Sequence, residues 1–388
     1  MTDKPKIQLA IFDADDMIWH AYGPWAACMG PAMDDLVEYL GVDPEKLRHA
    51  IQNDAIGQHR FNDYGGLSHF LSTNGLIPRV NDPQEQYERD IIRRNIRSRF
   101  FEDWRKLTKF YDGTIETITK LKAAGTRVAI WTDSDAPTII RRFDSACKNA
   151  GMTPEDAIGF VKKFDAIYAM PSAECDSRLL WNIDTNIIHA IKKRMVISSD
   201  PKGWKPATPE PVATPRGQAI LADFNIAPEH ALMIGDSYKD VFAAVQAGMH
   251  GAWFKHGANQ TPETVEMLTR VASPRYKYGI DAIQEQLDTH LPHRGYIVIE
   301  NDIAELENYF TFAPAERGYH HSLLSQQCHI PLALVHPDQV GARLHKELNA
   351  QFGIATHFGE VIPVIAPQDQ DDMAGPEISG LPQEPLPA

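Results

Sequence analysis

Cysteine is scarce. Only 4 of the 388 residues are Cys (Cys28, Cys147, Cys175 and Cys328), and none stands in a C-x-x-C pair. Scattered thiols of this kind exclude a disulfide framework and a zinc ribbon, and they fit a reducing compartment. No apolar run approaches the roughly 20 residues of a membrane-spanning helix. Residues 1–6 are too polar to open a signal peptide, so a cytoplasmic protein with no membrane partner is the expectation. Basic charge is also short: 38 Lys and Arg face 52 Asp and Glu, for a net charge of −14. That balance argues against bulk nucleic-acid binding, which needs a basic surface to displace counterions. The one basic stretch, "RRNIRSRFFEDWRK" from Arg93, reads as a solvated helix face. There is no G-x-S-x-G elbow, no H-E-x-x-H helix, no P-loop and no dinucleotide fingerprint. The 16 histidines form no recognisable metal signature.

What is present is a globular composition, 43% hydrophobic and 23% charged. "KIQLAIFDAD" reads as a buried strand ending in carboxylates. From about Trp19 to Phe110 the apolar residues fall at helical spacing, with Asp43-Pro44 and Asp82-Pro83 as start signals. Strands and helices then alternate: "TRVAIWTDS", "FDAIYAM", "HALMIGDS", "HGAWFKH" and "YIVIEN" as strands, with amphipathic helices between them. Alternation of this kind predicts an α/β fold, a doubly wound, mostly parallel sheet covered by helices. Past Phe310 the pattern weakens, and the acidic, Pro-rich end from residue 366 reads as a disordered tail.

In open α/β sheets ligands bind at the carboxyl ends of the strands. Those ends carry Asp13 and Asp15, Thr132, and Asp236, with Asp240 opening the next helix and Lys205 in the loop before the helix that leads to the Asp236 strand. Clustered carboxylates repel unless a cation joins them, and Mg²⁺ favours carboxylate oxygens together with substrate phosphate. With the ion in place one aspartate can attack a phosphoryl group. A second, two residues on, is placed to move the proton of the leaving oxygen. A calcium loop fails on spacing, since Ile18 and Pro24 stand where Gly and Glu belong. Taken singly, Thr132 is more often structural, Lys205 a surface lysine, and Asp236 and Asp240 a turn and a helix cap. Their order on successive strand ends is what gives them weight.

The set "FDADDMI", "IWTDS", "WKPATPEP" and "MIGDSYKDVFAAVQAGM" resembles the four ordered motifs of the haloacid dehalogenase (HAD)-like hydrolase superfamily, in its phosphatase branch. The resemblance spans roughly residues 7–310. It implies Asp13 as nucleophile, Asp15 as general acid/base, and Thr132 and Lys205 as phosphate-binding residues. It also implies a Mg²⁺ site formed by Asp13, the main-chain carbonyl of Asp15 and Asp236, with Asp240 in support. The implied organisation is a Rossmann-type core at 1–18 and 111–310, a helical cap at 19–110 and an accessory insertion at 172–200. A C-terminal extension at 311–365 and the 366–388 tail follow.

The implied activity is Mg²⁺-dependent hydrolysis of a small phosphorylated metabolite through an aspartyl-phosphate. A phosphomutase or a dehalogenase ranks lower, and the rival class is a regulatory protein that keeps the fold and binds a phosphorylated ligand or a protein partner. Two departures from the family pattern stand out. Asp16-Met17 replaces the usual Gly-Thr or Gly-Val, and the long interval from Thr132 leaves Lys202 as a rival to Lys205. Oligomeric state is open.

Overall fold

The computed structural model describes residues 4–50, 77, 80–170, 183–197, 205, 215–258, 260–271, 279–291 and 295–315. In chain order its strands are β1 (Lys6–Ile7), β2 (Leu9–Phe12), β3 (Arg127–Asp135), β4 (Ala166–Met170), β5 (Met195–Ile197), β6 (Ala231–Gly235), β7 (His250–Phe254), β8 (Tyr296–Ile299) and β9 (Thr311–Phe312). Strands β2 to β8 form one parallel sheet in the order β5-β4-β3-β2-β6-β7-β8. Every residue of β2, β4, β5 and β6 is buried, as expected of strands covered on both faces. Alternate side chains feed the two faces. Ala10 and Phe12 join a cluster with Ile130, Phe143 and Phe164, while Leu9 and Ile11 join one with Trp131, Tyr168 and Met233.

The helices used below are α1 (Tyr22–Leu40), α2 (Pro44–Ala50), α3 (Pro83–Leu107), α4 (Thr114–Ala123), α5 (Ala136–Asn149), α6 (Pro154–Val161), α7 (Thr185–Lys192), α8 (Pro215–Phe224), α9 (Tyr238–Ala247) and α10 (Lys255–Ala258). α1, α2 and α3 bury an apolar cluster of their own, built on Trp25, Met29, Leu36, Leu47, Phe100 and Trp104. The Asp-Pro pairs work as read. α2 begins at Pro44, and Asp82 accepts a bond from Gln84 N at 3.0 Å while Pro83 takes the first helical position.

Three boundaries differ from expectation. Within the supposed insertion at 172–200, α7 and β5 belong to the core. β5 pairs with β4 as the edge strand, and Ile187, Ile191, Met195 and Ile197 pack into the main cluster. The rest of that segment lies outside the described residues. β3 does not stop at Thr132. It continues to Asp135 through a register shift against β4 after Trp131, and Asp135 then caps α5 by accepting from Thr138 N. The first residues of the expected C-terminal extension are tied to the core, because β9 pairs in parallel with β1 and Thr126 Oγ1 donates to Ala313 O. Residues 316–388, the proposed tail among them, lie outside the described set.

Candidate active site

β2 lies between β3 and β6 with Phe12 level with both Ile130 and Ile234. The chain leaving β2 therefore emerges beside the ends of β3 and β6, at the point where the sheet reverses its order of growth. Asp13 N still donates to Ile234 O at 2.8 Å, and a tight turn follows, with Ile18 N bonded to Ala14 O and Asp16 N to Trp19 O. The register alone brings Asp13, Thr132 and Asp236 to one rim.

Lys205 ties that rim together. Its Nζ lies 2.6 Å from Asp13 Oδ1 and 2.7 Å from Asp240 Oδ1, and its side chain is almost wholly enclosed. Asp240 in turn accepts from Ser237 N and Oγ at the start of α9. It orients the lysine rather than standing apart. A Cβ on Gly235 would run into the Asp240 carboxyl, so glycine at that strand end is what lets the aspartate fold inward. Burial pushes the Lys205 ammonium down, but Asp13, Asp240 and Asp133 outweigh it and hold it charged. Lys202 lies outside the described residues.

Asp15 faces away from this group. Its carboxylate accepts from Trp19 Nε1 at 2.9 Å and from Ser134 Oγ at 2.5 Å, and it pairs with the buried Arg142 guanidinium of α5. Thr132, also buried, connects to the same network because its Oγ1 accepts from Ser134 N. Asp133 accepts from Lys205 N and pairs with Lys239 at 3.1 Å. Burial would raise Asp133, yet Lys239 and Lys205 hold it below the usual carboxylate range. Sequence reasoning missed Trp19, Asp133, Ser134, Arg142 and Lys239 as site residues. Asp133 and Ser134 sit inside a motif it quoted, whereas nothing local marks Arg142.

Asp16, unexplained from sequence, has a clear structural role. Its φ of 51° is left-handed, where glycine is usual and Asp is among the few other residues that are tolerated. That turn aims its carboxylate at Ala21 N and Tyr22 N, both at 2.9 Å, and at Tyr111 Oη. Ala21, the residue that caps α1, brings no side-chain acceptor, so Asp16 supplies one from the turn after β2. Asp16→Ala should lose both the cap and a residue tolerant of that φ, costing about 2–3 kcal/mol. Chemical denaturation of both proteins measures it, and equal stability would remove the capping role.

Burial also raises Asp16 to about 6. Its protonation therefore favours the folded state below the unfolded value of 3.8, and that contribution is lost as pH rises through 6. The stability gap between wild type and Asp16→Asn, which cannot titrate, should accordingly narrow over that rise in the metal-free protein.

Asp13, Asp236 and Asp240 place carboxylate oxygens within 4.8 Å of one another, all buried. Burial lifts Asp13 to about 7, against the pull of Lys205, and it lifts Asp236 well above its usual range with help from Asp240, Asp16 and Asp13. Three buried carboxylates against one ammonium make an oxygen-rich, electron-rich pocket that fits a hard divalent cation.

Residues 213–283 match the sequence model of the HAD-hydrolase-like family, a span that holds the Asp236 and Asp240 motif. That segment is similar to HAD-like hydrolases. A comparison with curated proteins finds no match. Among solved structures, a predicted phosphoglycolate phosphatase from Haemophilus somnus is 15% identical, aligning 78% of this chain with 97% of that one at a TM-score of 0.36. A HAD-superfamily hydrolase of subfamily IA from Geobacter sulfurreducens is 16% identical over 64% and 87% of the two chains, with a TM-score of 0.33. A haloacid dehalogenase-like family hydrolase from Xanthomonas campestris is 16% identical over 66% and 85%, at 0.38. At these scores the overlays carry no argument. The likeness to the family rests on the matched segment, together with the order of the motifs that meet at this site.

Proposed function

We propose that this HAD-like hydrolase is a Mg²⁺-dependent phosphatase acting on a small phosphomonoester, with Asp13 as nucleophile. The observation that carries the reading is Lys205, which bridges Asp13 and Asp240 inside a group of carboxylates that also contains Asp236. A carboxylate attacks a phosphate ester only where the negative charges of both are offset. Asp13, Asp236 and the main-chain carbonyl of Asp15 would hold Mg²⁺, which supplies charge neutralisation for the transferring oxygens when bound.

Asp13 forms a bond to phosphorus as the ester P–O bond breaks, leaving an aspartyl-phosphate. Asp15 gives its proton to the departing oxygen, then takes one from the water that hydrolyses the acyl phosphate. Trp19 and Ser134 hold the Asp15 carboxylate in place for both transfers. Lys205 and Thr132 steady the remaining phosphoryl oxygens. The helices α1 to α3 act as the cap that closes over the small phosphorylated metabolite and keeps bulk water out.

The test is hydrolysis of p-nitrophenyl phosphate with Mg²⁺ and with chelator. Turnover that vanishes on chelation and returns with Mg²⁺ supports the reading, and turnover indifferent to chelator overturns it. Mg²⁺ should also raise the Tm of the wild-type protein, because it relieves the carboxylate repulsion. The rise should be smaller in Asp236→Asn, as read by differential scanning calorimetry; an equal rise in both proteins would place the ion elsewhere.

A further inference from the structure

Among the described residues, one buried cation beside the candidate site has no anion of its own. α5 carries adjacent arginines, Arg141 and Arg142, which are 8% and 4% exposed. Arg142 pairs with Asp15. Arg141 Nη2 donates to the neutral Thr138 Oγ1, at 2.9 Å. Arg141 Nη1 and Arg142 Nε are both buried and make no hydrogen bond to any described residue.

The guanidinium planes are nevertheless held firmly. Arg141 lies 4.7 Å above the Phe101 ring and Arg142 4.9 Å above the Trp104 ring. Those two α3 rings are stacked with centroids 6.4 Å apart, so the guanidinium groups sit side by side between α5 and α3. An aromatic face fixes a guanidinium but accepts none of its in-plane N–H bonds. A buried charge with free donors is costly unless an anion meets it. The carboxylates nearby are already engaged: Asp15 by Arg142, Asp13 by Lys205, and Asp144 by Lys148.

Resting on the phosphatase reading, we propose that Arg141 and Arg142 form a second anion subsite next to Asp15. The substrate they select carries another anionic group besides the phosphate that is hydrolysed. The planar fork of arginine suits either a carboxylate or a second phosphoryl group. On this account Arg142 serves two partners, keeping Asp15 in position through one edge and presenting Nε to the substrate, while Arg141 decides specificity.

Binding separates this inference from hydrolysis. Three non-hydrolysable probes are titrated calorimetrically into the full chain with excess Mg²⁺: propylphosphonate, 3-phosphonopropionate and ethane-1,2-bisphosphonate. At least one of the two doubly anionic probes should bind about tenfold tighter or better than propylphosphonate, the worth of a hydrogen bond to a charged group. Which of the two binds tighter tells whether the second group is carboxylate or phosphoryl. Arg141→Met should erase the advantage, and Arg141→Lys, which keeps the charge but not the fork, should restore part of it in a protein with wild-type circular dichroism.

Equal affinity for all three probes in the wild type, no binding of any probe, or an advantage that survives in Arg141→Met overturns the subsite. An intact affinity gap without hydrolysis of any phosphate ester overturns the phosphatase reading instead.

Discussion

Asp13→Asn is expected to lower hydrolysis of p-nitrophenyl phosphate by about a thousandfold or more, the scale of removing a nucleophile. An amide keeps the shape of the side chain but cannot form the acyl phosphate. The same substitution should leave the metal-free fold as stable as the wild type, or more so. Burial and the field of Asp240 raise Asp13 to about 7, which means that its charged form is disfavoured where it sits. Asn removes that cost, and Lys205 keeps Asp240 as its partner. Lost turnover together with an unchanged or higher Tm is the expected pair of results. Turnover within tenfold of wild type in Asp13→Asn, with contaminating phosphatase excluded, would sink the nucleophile assignment.

The second large effect falls on a residue outside the catalytic set. Gly257, in α10, packs against the back of the turn that follows β2. A Cβ there would overlap the main-chain oxygen of Asp16 and lie 2.9 Å from both Asp236 Cβ and Phe254 Cδ1. The first obstacle is backbone, held in place by the Asp16 N to Trp19 O bond and by the Asp16 cap on α1. A backbone oxygen cannot swing aside as a side chain can, so Gly257→Ala should cost about 3 kcal/mol, at the upper end for overpacking. The turn between Asp13 and Trp19 has to move to make room, and Mg²⁺ affinity should weaken along with stability. Urea denaturation and metal titration check both, and a wild-type urea midpoint would show that the loop can yield without cost. Gly151, where an added Cβ would meet nothing within 4 Å, is the natural control for a glycine in an open position, although its own φ of 71° carries a strain penalty.

How far the sequence could be read depended on whether a feature was local. The apolar runs that became β2, β4, β6 and β7 were legible because strands buried on both faces are continuous in hydrophobicity. The starts of α2 and α3 were legible because an Asp-Pro pair is a complete capping signal within two residues. β5 escaped clear assignment: it is an edge strand of three residues, Met195 to Ile197, too short to show a period. Asp16 could not be explained because its partners, Ala21, Tyr22 and Tyr111, are brought to it by the turn and by the arrival of Tyr111 from 95 residues away. Arg142 looked like an ordinary helix charge, since nothing beside it in the chain says that its helix face turns toward Asp15.

The chain's own order of residues therefore made legible the parallel α/β architecture and pointed to Asp13, Asp15, Thr132, Lys205, Asp236 and Asp240 through motifs resembling those of HAD-like hydrolases, because strand composition and short motifs are properties of neighbours. Packing settled which of these groups meet. Lys205 spans Asp13 and Asp240, Asp15 turns aside to Trp19, Ser134 and Arg142, and Asp16 caps a helix rather than adding to the carboxylate group. The pairings made by Lys205, Ser134 and Arg142 join residues far apart in the chain, Asp15 to Ser134 across 119 positions. They depend on strand register and on burial, where the low dielectric makes each charge seek a partner, and no stretch of sequence contains both ends of that bargain.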